Sequence, residues 1–450
     1  MKPTIYFKFE KFDFQEKQIY LPKCESLPKD SFGNFLMESQ QGFRNSQVVD
    51  TLLYYHINNM NDNEDICFES INVTNNAGYI FPTAVQYHPL DWTDVSDRGV
   101  NNTLKKSIFE LIHPKYLNDM QDKKALLLID QSVEGYSTSW LWDWFHKKCN
   151  LYKVPPASII YLTGDQSCID TYDKWCNENN VTDRLKVIPS ISLSMYINKH
   201  YHSHNIQTNF EQLATYKSEN ANNLKLFDCT NMRPRPQRVL NYLHLLNANL
   251  LDKGNISMPD PKEWQVDLSN KQYLKTYNLP QDISSKIDYN SGPRKAIHKD
   301  TETTHYYNYI ERILDDMYKN SWFSIITESS YFKHEHSVFI SEKTFKPIAC
   351  MQPFIIVGSK YSLRYLHKLG YKTFSPFIDE SYDELEDSER FTAIIESIKQ
   401  IEQIEDKSSW YKSMQYILEH NFNLFMQIGK VKSIEHTILT KYYFEYFNKE

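Results

Sequence analysis

A chain of 450 residues exceeds what one hydrophobic core supports, and with 41% hydrophobic and 24% charged residues it is too apolar to stay disordered, so two folded domains are expected. Lys and Arg number 50 against 57 Asp and Glu, and the formal charge of -7 excludes an overall field for gripping polyanions such as duplex nucleic acid. The 7 cysteines are scattered without a C-x-x-C pair, which argues against a zinc ribbon or a disulfide framework and for a reducing compartment. The N-terminal Met-Lys-Pro-Thr-Ile-Tyr-Phe-Lys carries charge where a secretory signal needs an apolar core, and no apolar run is long enough to span a bilayer. A soluble cytoplasmic protein with no membrane span is therefore expected.

Residues 1 to about 120 offer short aromatic strands and one stretch, 46–58, with Val48, Val49, Leu52, Leu53 and Tyr55 at helical spacing. The pattern sharpens at 125–130, Ala-Leu-Leu-Leu-Ile-Asp, an apolar run that ends in a carboxylate and leads into a helix carrying Trp140, Leu141, Trp144 and Phe145. A strand at 157–163, a helix marked by Ile169, Tyr172 and Trp175, and a strand from Leu185 follow. Continuous apolar strands alternating with helices predict a parallel sheet covered on both faces. Residues 200–222 are polar and turn-rich, so the boundary between domains is placed there, giving 1–215 and 216–430.

The alternation then restarts. Residues 224–230 read as a strand and 237–249 as a helix with Val239, Leu240, Leu243 and Leu246 on one face. After an irregular stretch at 259–304, helices are expected at 305–320, 342–350, 361–369 and 390–404, and strands at 322–327, 353–358 and 372–374. The last 40 residues alternate helical faces, and 431–450 carry enough apolar positions for a helix packed on another surface.

Two clusters carry chemistry. Asn231-Met-Arg-Pro-Arg-Pro-Gln-Arg238 follows a predicted strand and opens a helix, so Arg233, Arg235 and Arg238 gather at one strand end. The crevice beyond the strand ends of an open α/β sheet takes ligands, a helix N-terminus there favours anions, and the arginine fork pairs with phosphate oxygens. The second cluster is Thr327-Glu-Ser-Ser330 with Ser341-Glu-Lys-Thr-Phe-Lys346. Ser341 suits an N-cap and Glu342 a first turn, whereas Lys343 in that turn opposes the helix dipole unless an anion lies nearby. Glu328 and Glu342 have the chemistry to accept hydrogen bonds from ribose or sugar hydroxyls. Taken singly these residues only cap and solubilise a helix; taken with the arginines they describe a diphosphate site. No phosphate loop, G-x-G-x-x-G, H-E-x-x-H or nucleophile elbow occurs, and no strand ends in a D-x-D, so no metal is expected. His334-Glu-His336 and His200, His202 and His204 read as solvated loop histidines rather than ligands.

The run Trp322-Phe-Ser-Ile-Ile-Thr-Glu-Ser-Ser, then Phe339-Ile-Ser-Glu-Lys-Thr, then Pro353-Phe-Ile-Ile-Val-Gly358 resembles the donor-binding signature of α-1,3-fucosyltransferases. That family has a Phe-Glu-Asn-Ser strand end, a Thr-Glu-Lys helix start and a Val-Pro-Val-Val-x-Gly strand. The stretch through Lys368-Leu-Gly-Tyr-Lys-Thr-Phe and Asp379-Glu-Ser-Tyr-Asp383 is similar to glycosyltransferase-like proteins of bacteriophages and other large viruses.

The resemblance implies an α/β fold of two Rossmann-like lobes (GT-B type) facing across a cleft, with an acceptor-side lobe at 1–215, a donor lobe at 216–430 and a final helix packing back on the first lobe. Lys343 and Arg238 would hold the donor diphosphate, Glu342 the ribose and Glu328 the ribose or sugar. Asn231, Arg233, Arg235, Ser329 and Ser341 complete the donor-binding set. Ser329 stands where the family has Asn, and the Gly before its Val-Pro strand is missing, so a GDP- or UDP-linked donor stays open.

Transfer also needs a base. In fucosyltransferase-like enzymes it is a carboxylate of the first lobe, for which Asp130 and Glu134 qualify, and Glu134 is preferred because Gly135 permits close backbone approach. The expected activity is a metal-independent, inverting glycosyltransferase that needs no cofactor beyond its nucleotide sugar, acts on a glycan and works in a host cytoplasm if the source is viral. The rivals are transfer to hydroxymethylated bases of phage DNA and a non-catalytic nucleotide-sugar or glycan-binding structural protein.

Overall fold

The apolar runs of the sequence become parallel strands covered on both faces. The computed structural model describes residues 4–7, 11–13, 18–20, 67–70, 78–84, 109, 114–132, 135, 137–203, 206–231, 233–259, 261–264, 266–287, 315–332, 337–427 and 434–448. The stretch 46–58, Glu134, His204, the His334-Glu-His336 loop, most of the helix expected at 305–320 and the side chains of Asp130 and His200 lie outside them. The chain divides into two compact units, Met1–Ser192 with Lys432–Glu450, and Leu193–Val431.

The first unit holds a six-stranded parallel sheet in the order β4-β1-β5-β6-β7-β8 and a separate antiparallel pair, β2-β3. The strands are β1 (Thr4–Phe7), β2 (Lys11–Asp13), β3 (Gln18–Tyr20), β4 (Cys67–Ser70), β5 (Tyr79–Ala84), β6 (Ala125–Gln131), β7 (Ile159–Thr163) and β8 (Lys186–Pro189). Alternation along β6 and β7 sends Leu127, Ile129, Ile159 and Tyr161 to one core. There they meet Trp142 and Phe145 of α2 (Ser139–Tyr152) and Tyr172 of α3 (Cys168–Glu178), while α1 (Pro114–Gln121) adds Tyr116 and Met120. Leu126, Leu128, Ile160 and Leu162 face the other way and pack with Leu439 and Tyr443 of the helix Ile434–Phe447. That helix is pinned by Tyr442 Oη donating to the Ala157 carbonyl and Tyr443 Oη to the Gly78 carbonyl. A Cβ at Gly78 would lie 2.3 Å from the Phe447 ring, so only glycine admits so close an approach.

Two helical faces differ from those read in the sequence. In α2 the buried set is Leu141, Trp142, Phe145 and Cys149, and Trp140 is 41% exposed. Trp142 wins the core position because it packs edge-on against Tyr161 and tilted on Tyr172. In α3 Ile169 is turned outward, and Cys168, Tyr172, Trp175 and Cys176 face the sheet.

The second unit has four parallel strands, β9 (Lys225–Thr230), β10 (Gly254–Ser257), β11 (Ser321–Thr327) and β12 (Phe354–Val357), in the order β10-β9-β11-β12. The region 200–222, read as a polar boundary, is largely helical: α4 (Ser192–Ser203) and α5 (Phe210–Glu219) place Ile197, Tyr201, Phe210 and Ala214 in this unit's core. Polar residues there cover only the outer faces, so the division falls earlier, after Ser192. Next come α6 (Pro236–Asn247), α7 (Lys271–Thr276), α8 (Asp315–Lys319), α9 (Glu342–Ala349), α10 (Ser362–Lys368), α11 (Asp387–Glu402), α12 (Lys407–Ser413) and α13 (Gln415–Gln427).

Residues 372–374 form no strand. The side chain of Asn421 takes the place of a partner strand, accepting from the Lys372 amide and donating to its carbonyl, each at 2.8 Å. Both units are thus α/β folds with parallel, Rossmann-like sheets. Among the described residues no helix is long and apolar enough to cross a membrane.

Candidate functional site

When a parallel sheet grows in both directions from its first strand, the loops at the point of divergence part and leave a crevice at the carboxyl ends of those strands. In the second unit that point lies between β9 and β11, so the residues following Thr230 and Thr327 border it.

Asn231 closes the end of β9. Its amide donates to the carbonyl and hydroxyl of Ser257 at 3.1 and 3.0 Å, its Oδ1 accepts from the Thr327 hydroxyl, and its Nδ2 donates to Cys229 Sγ. One buried residue thereby ties β9 to β10 through its amide and to β11 through its side chain. The prolines then turn the chain into α6, with Pro236 at its first position, where the missing amide costs nothing.

The first turn of α6 reaches across to β11. Arg235 Nη1 donates to the Ser329 carbonyl at 3.0 Å, and Gln237 Nε2 donates to the carbonyls of Glu328 and Ser329 at 2.9 Å each. Arg238 is 5% exposed; Nη1 donates to the Arg233 carbonyl at 3.3 Å, and Nε has no partner. Arg233 itself is exposed.

Glu328 joins β11 to α9. Its buried carboxylate accepts from the Ser341 amide at 3.0 Å, from the Ser341 hydroxyl, and from the Thr344 hydroxyl at 2.7 Å. The charge expected to face a ribose or sugar is therefore engaged inside the protein, where it also complements the positive end of α9. Ser341 caps that helix as expected, accepting from the Lys343 amide at 3.4 Å. Lys343 Nζ lies 2.8 Å from Glu342 Oε1 and 2.9 Å from Ser341 Oγ. The conflict between Lys343 and the helix dipole is relieved in part by this neighbour.

The electrostatics connect the two clusters. Burial, and next the charge of Arg235, push the Arg238 guanidinium down to about 10, while Glu342 and then Glu328 pull the other way. Burial also opposes ionisation of Glu342, but Lys343 and Lys346 overcome it and hold its carboxyl down at about 2. Glu342 thus stands in the fields of Arg238 and Lys343 together, although the two cations are far apart in the sequence.

Of the residues singled out in the sequence, Asn231, Arg235, Arg238, Glu328, Ser329, Ser341, Glu342 and Lys343 meet at this edge of one sheet, with Arg233 at its exposed rim. Asp130 is the next-to-last residue of β6, in the other unit. Gln237, Thr344 and Lys346 were missed, and only Thr344 had a readable signal, three residues after an N-cap serine.

A shifted pKa alone does not mark a site here. Burial drives Lys217 down to about 7 and Asp228 up to about 7, yet their partners Ser321, Ser324 and Gln352 cluster toward the amino end of β11, away from the crevice. No group of three or more His, Cys, Asp or Glu able to hold a metal ion occurs among the described residues. The chain matches no protein-family model and no curated protein.

Proposed function

We propose that this chain is a nucleotide-sugar-dependent glycosyltransferase of the GT-B type, and that the diphosphate of its donor binds between Arg238 and Lys343. The observation that carries the reading is the convergence of these cations on Glu342 at the divergence point of a parallel sheet. Cations placed where a leaving diphosphate accumulates charge lower the barrier to its departure.

In the proposed reaction an acceptor hydroxyl oxygen attacks the anomeric carbon and forms the new C–O bond. The bond from that carbon to the donor phosphate oxygen breaks, with inversion, and the electron pair leaves with the nucleoside diphosphate. The hydroxyl proton goes to a carboxylate, for which Glu134, and after it Asp130, are the proposed bases. Arg235 and Gln237 hold the end of β11, and Glu328 and Ser341 fix the start of α9; these are positioning residues. A glycan is the proposed acceptor.

Thermal denaturation with GDP, UDP, CDP and dTDP tests the reading, because a ligand that binds only the folded protein raises its melting temperature. One of the four is expected to do so, and Lys343→Ala is expected to abolish the effect. A flat response to all four ends the proposal. Glu134→Gln is expected to keep the nucleotide-induced shift and lose sugar transfer.

A further inference from the structure

The same cations have an internal partner, and that partner sets what the site accepts. Glu342 Oε1 lies 2.8 Å from Lys343 Nζ, with the carboxylate side chain only 14% exposed and the ammonium side chain 26% exposed. Lys346, one turn further along α9, acts on the same carboxylate, as does Arg238 from α6. An anion entering between Arg238 and Lys343 therefore meets a resident negative charge that is already paired with Lys343 and lies within the field of Arg238.

We propose that Glu342 is a built-in substitute for phosphate that makes the site reject bare anions and accept only anions carrying a vicinal diol. Pyrophosphate would have to separate Glu342 from Lys343 and then sit beside a carboxylate that has lost its hydrogen-bond donor. A nucleoside diphosphate brings ribose hydroxyls, which donate to the released carboxylate and offset the broken contact. The exchange is ammonium for diol at Glu342, and carboxylate for phosphate at Lys343. This inference rests on the diphosphate site proposed above and adds the rule by which it selects.

The test is calorimetric titration of the full chain with inorganic pyrophosphate and with GDP and UDP, in wild type, Glu342→Gln, Glu342→Ala and Lys343→Ala. Removing a charge at this range from two cations is expected to tighten pyrophosphate binding by about tenfold. The same substitutions are expected to weaken the nucleoside diphosphate, so its preference over pyrophosphate collapses. Melting curves without ligand establish which variants are folded, and the two substitutions at 342 give two chances of a folded carboxylate-free protein. If wild type binds a nucleoside diphosphate and Lys343→Ala does not, but pyrophosphate affinity is the same with and without Glu342, the selection rule is overturned and the site stands. If pyrophosphate binding appears only when Glu342 is gone and no nucleoside diphosphate binds wild type, the carboxylate does guard an anion site and the donor assignment fails. If neither ligand binds any folded variant, the selection rule falls, and the diphosphate site falls with it when CDP and dTDP also leave the melting temperature unchanged.

Discussion

Glu328 and Ser341 are joined twice, through the Ser341 amide and the Ser341 hydroxyl, so the residue that leaves β11 fixes the first turn of α9. Thr344 adds a third donor to the same carboxylate. Glu328→Ala would strand these donors in a buried setting, and at about 1–3 kcal/mol for each orphaned group the unit is expected to lose about 3 kcal/mol or more. Chemical denaturation of the second unit checks this; a loss below about 1 kcal/mol would show that the junction is not a stabilising one.

Arg238 is expected to cost stability for the sake of a ligand. Its Nε has no partner, and burial acts against its charge. Replacing a buried, incompletely bonded cation with an apolar side chain of similar length often stabilises a protein. Arg238→Met should therefore melt higher than wild type without ligand and fail to respond to nucleoside diphosphates. A lower melting point would mean the guanidinium is mainly structural.

Glu342 gives an acid-side signature. Its carboxyl sits at about 2 in the fold against an ordinary value of 4.5, so its contribution is complete above pH 4.5 and is lost as the pH falls from there toward 2. The stability difference between wild type and Glu342→Gln should be constant above pH 5 and shrink below pH 4.5. A difference that holds down to pH 2 would mean the ion pair with Lys343 adds nothing.

His244 also loses its contribution on acidification, in a higher pH window. Burial lowers it to about 4 from 6.5, its Nε2 has no partner, and its ring stacks on Phe391 with centroids 5.1 Å apart. Between pH 6.5 and 4 the unfolded chain takes up a proton that the fold excludes, so stability is complete above 6.5 and drains away below it. His244→Phe keeps a ring beside Phe391 and removes the proton; relative to wild type it should gain up to about 3 kcal/mol on going from pH 7 to pH 4. Parallel pH profiles for the two proteins would rule this out.

The sheets were legible because buried parallel strands such as 125–131 and 354–357 are continuous apolar runs, and each was read to within a residue or two. The arginine cluster and the Ser341 cap were legible because strand ends and helix starts have local signatures. What stayed hidden depends on distant partners. Nothing near Lys372 announces that Asn421 replaces a strand, and nothing near Glu328 says that Ser341 and Thr344 consume its carboxylate. Trp140 and Trp142 differ in burial only because Tyr161 and Tyr172 choose between them.

The helix Ile434–Phe447 covers a sheet whose last strand ends at Pro189. On the ribosome, Leu126, Leu128, Ile160 and Leu162 are synthesised long before Leu439 and Tyr443 exist to shield them, and the whole of Leu193–Val431 emerges in between. The inserted unit is thus free to mature first, while its elder neighbour still lacks the helix that supplies Leu439 and Tyr443 to that face. Nascent chains stalled before residue 434 should for that reason engage chaperones far more strongly than chains carried past residue 448.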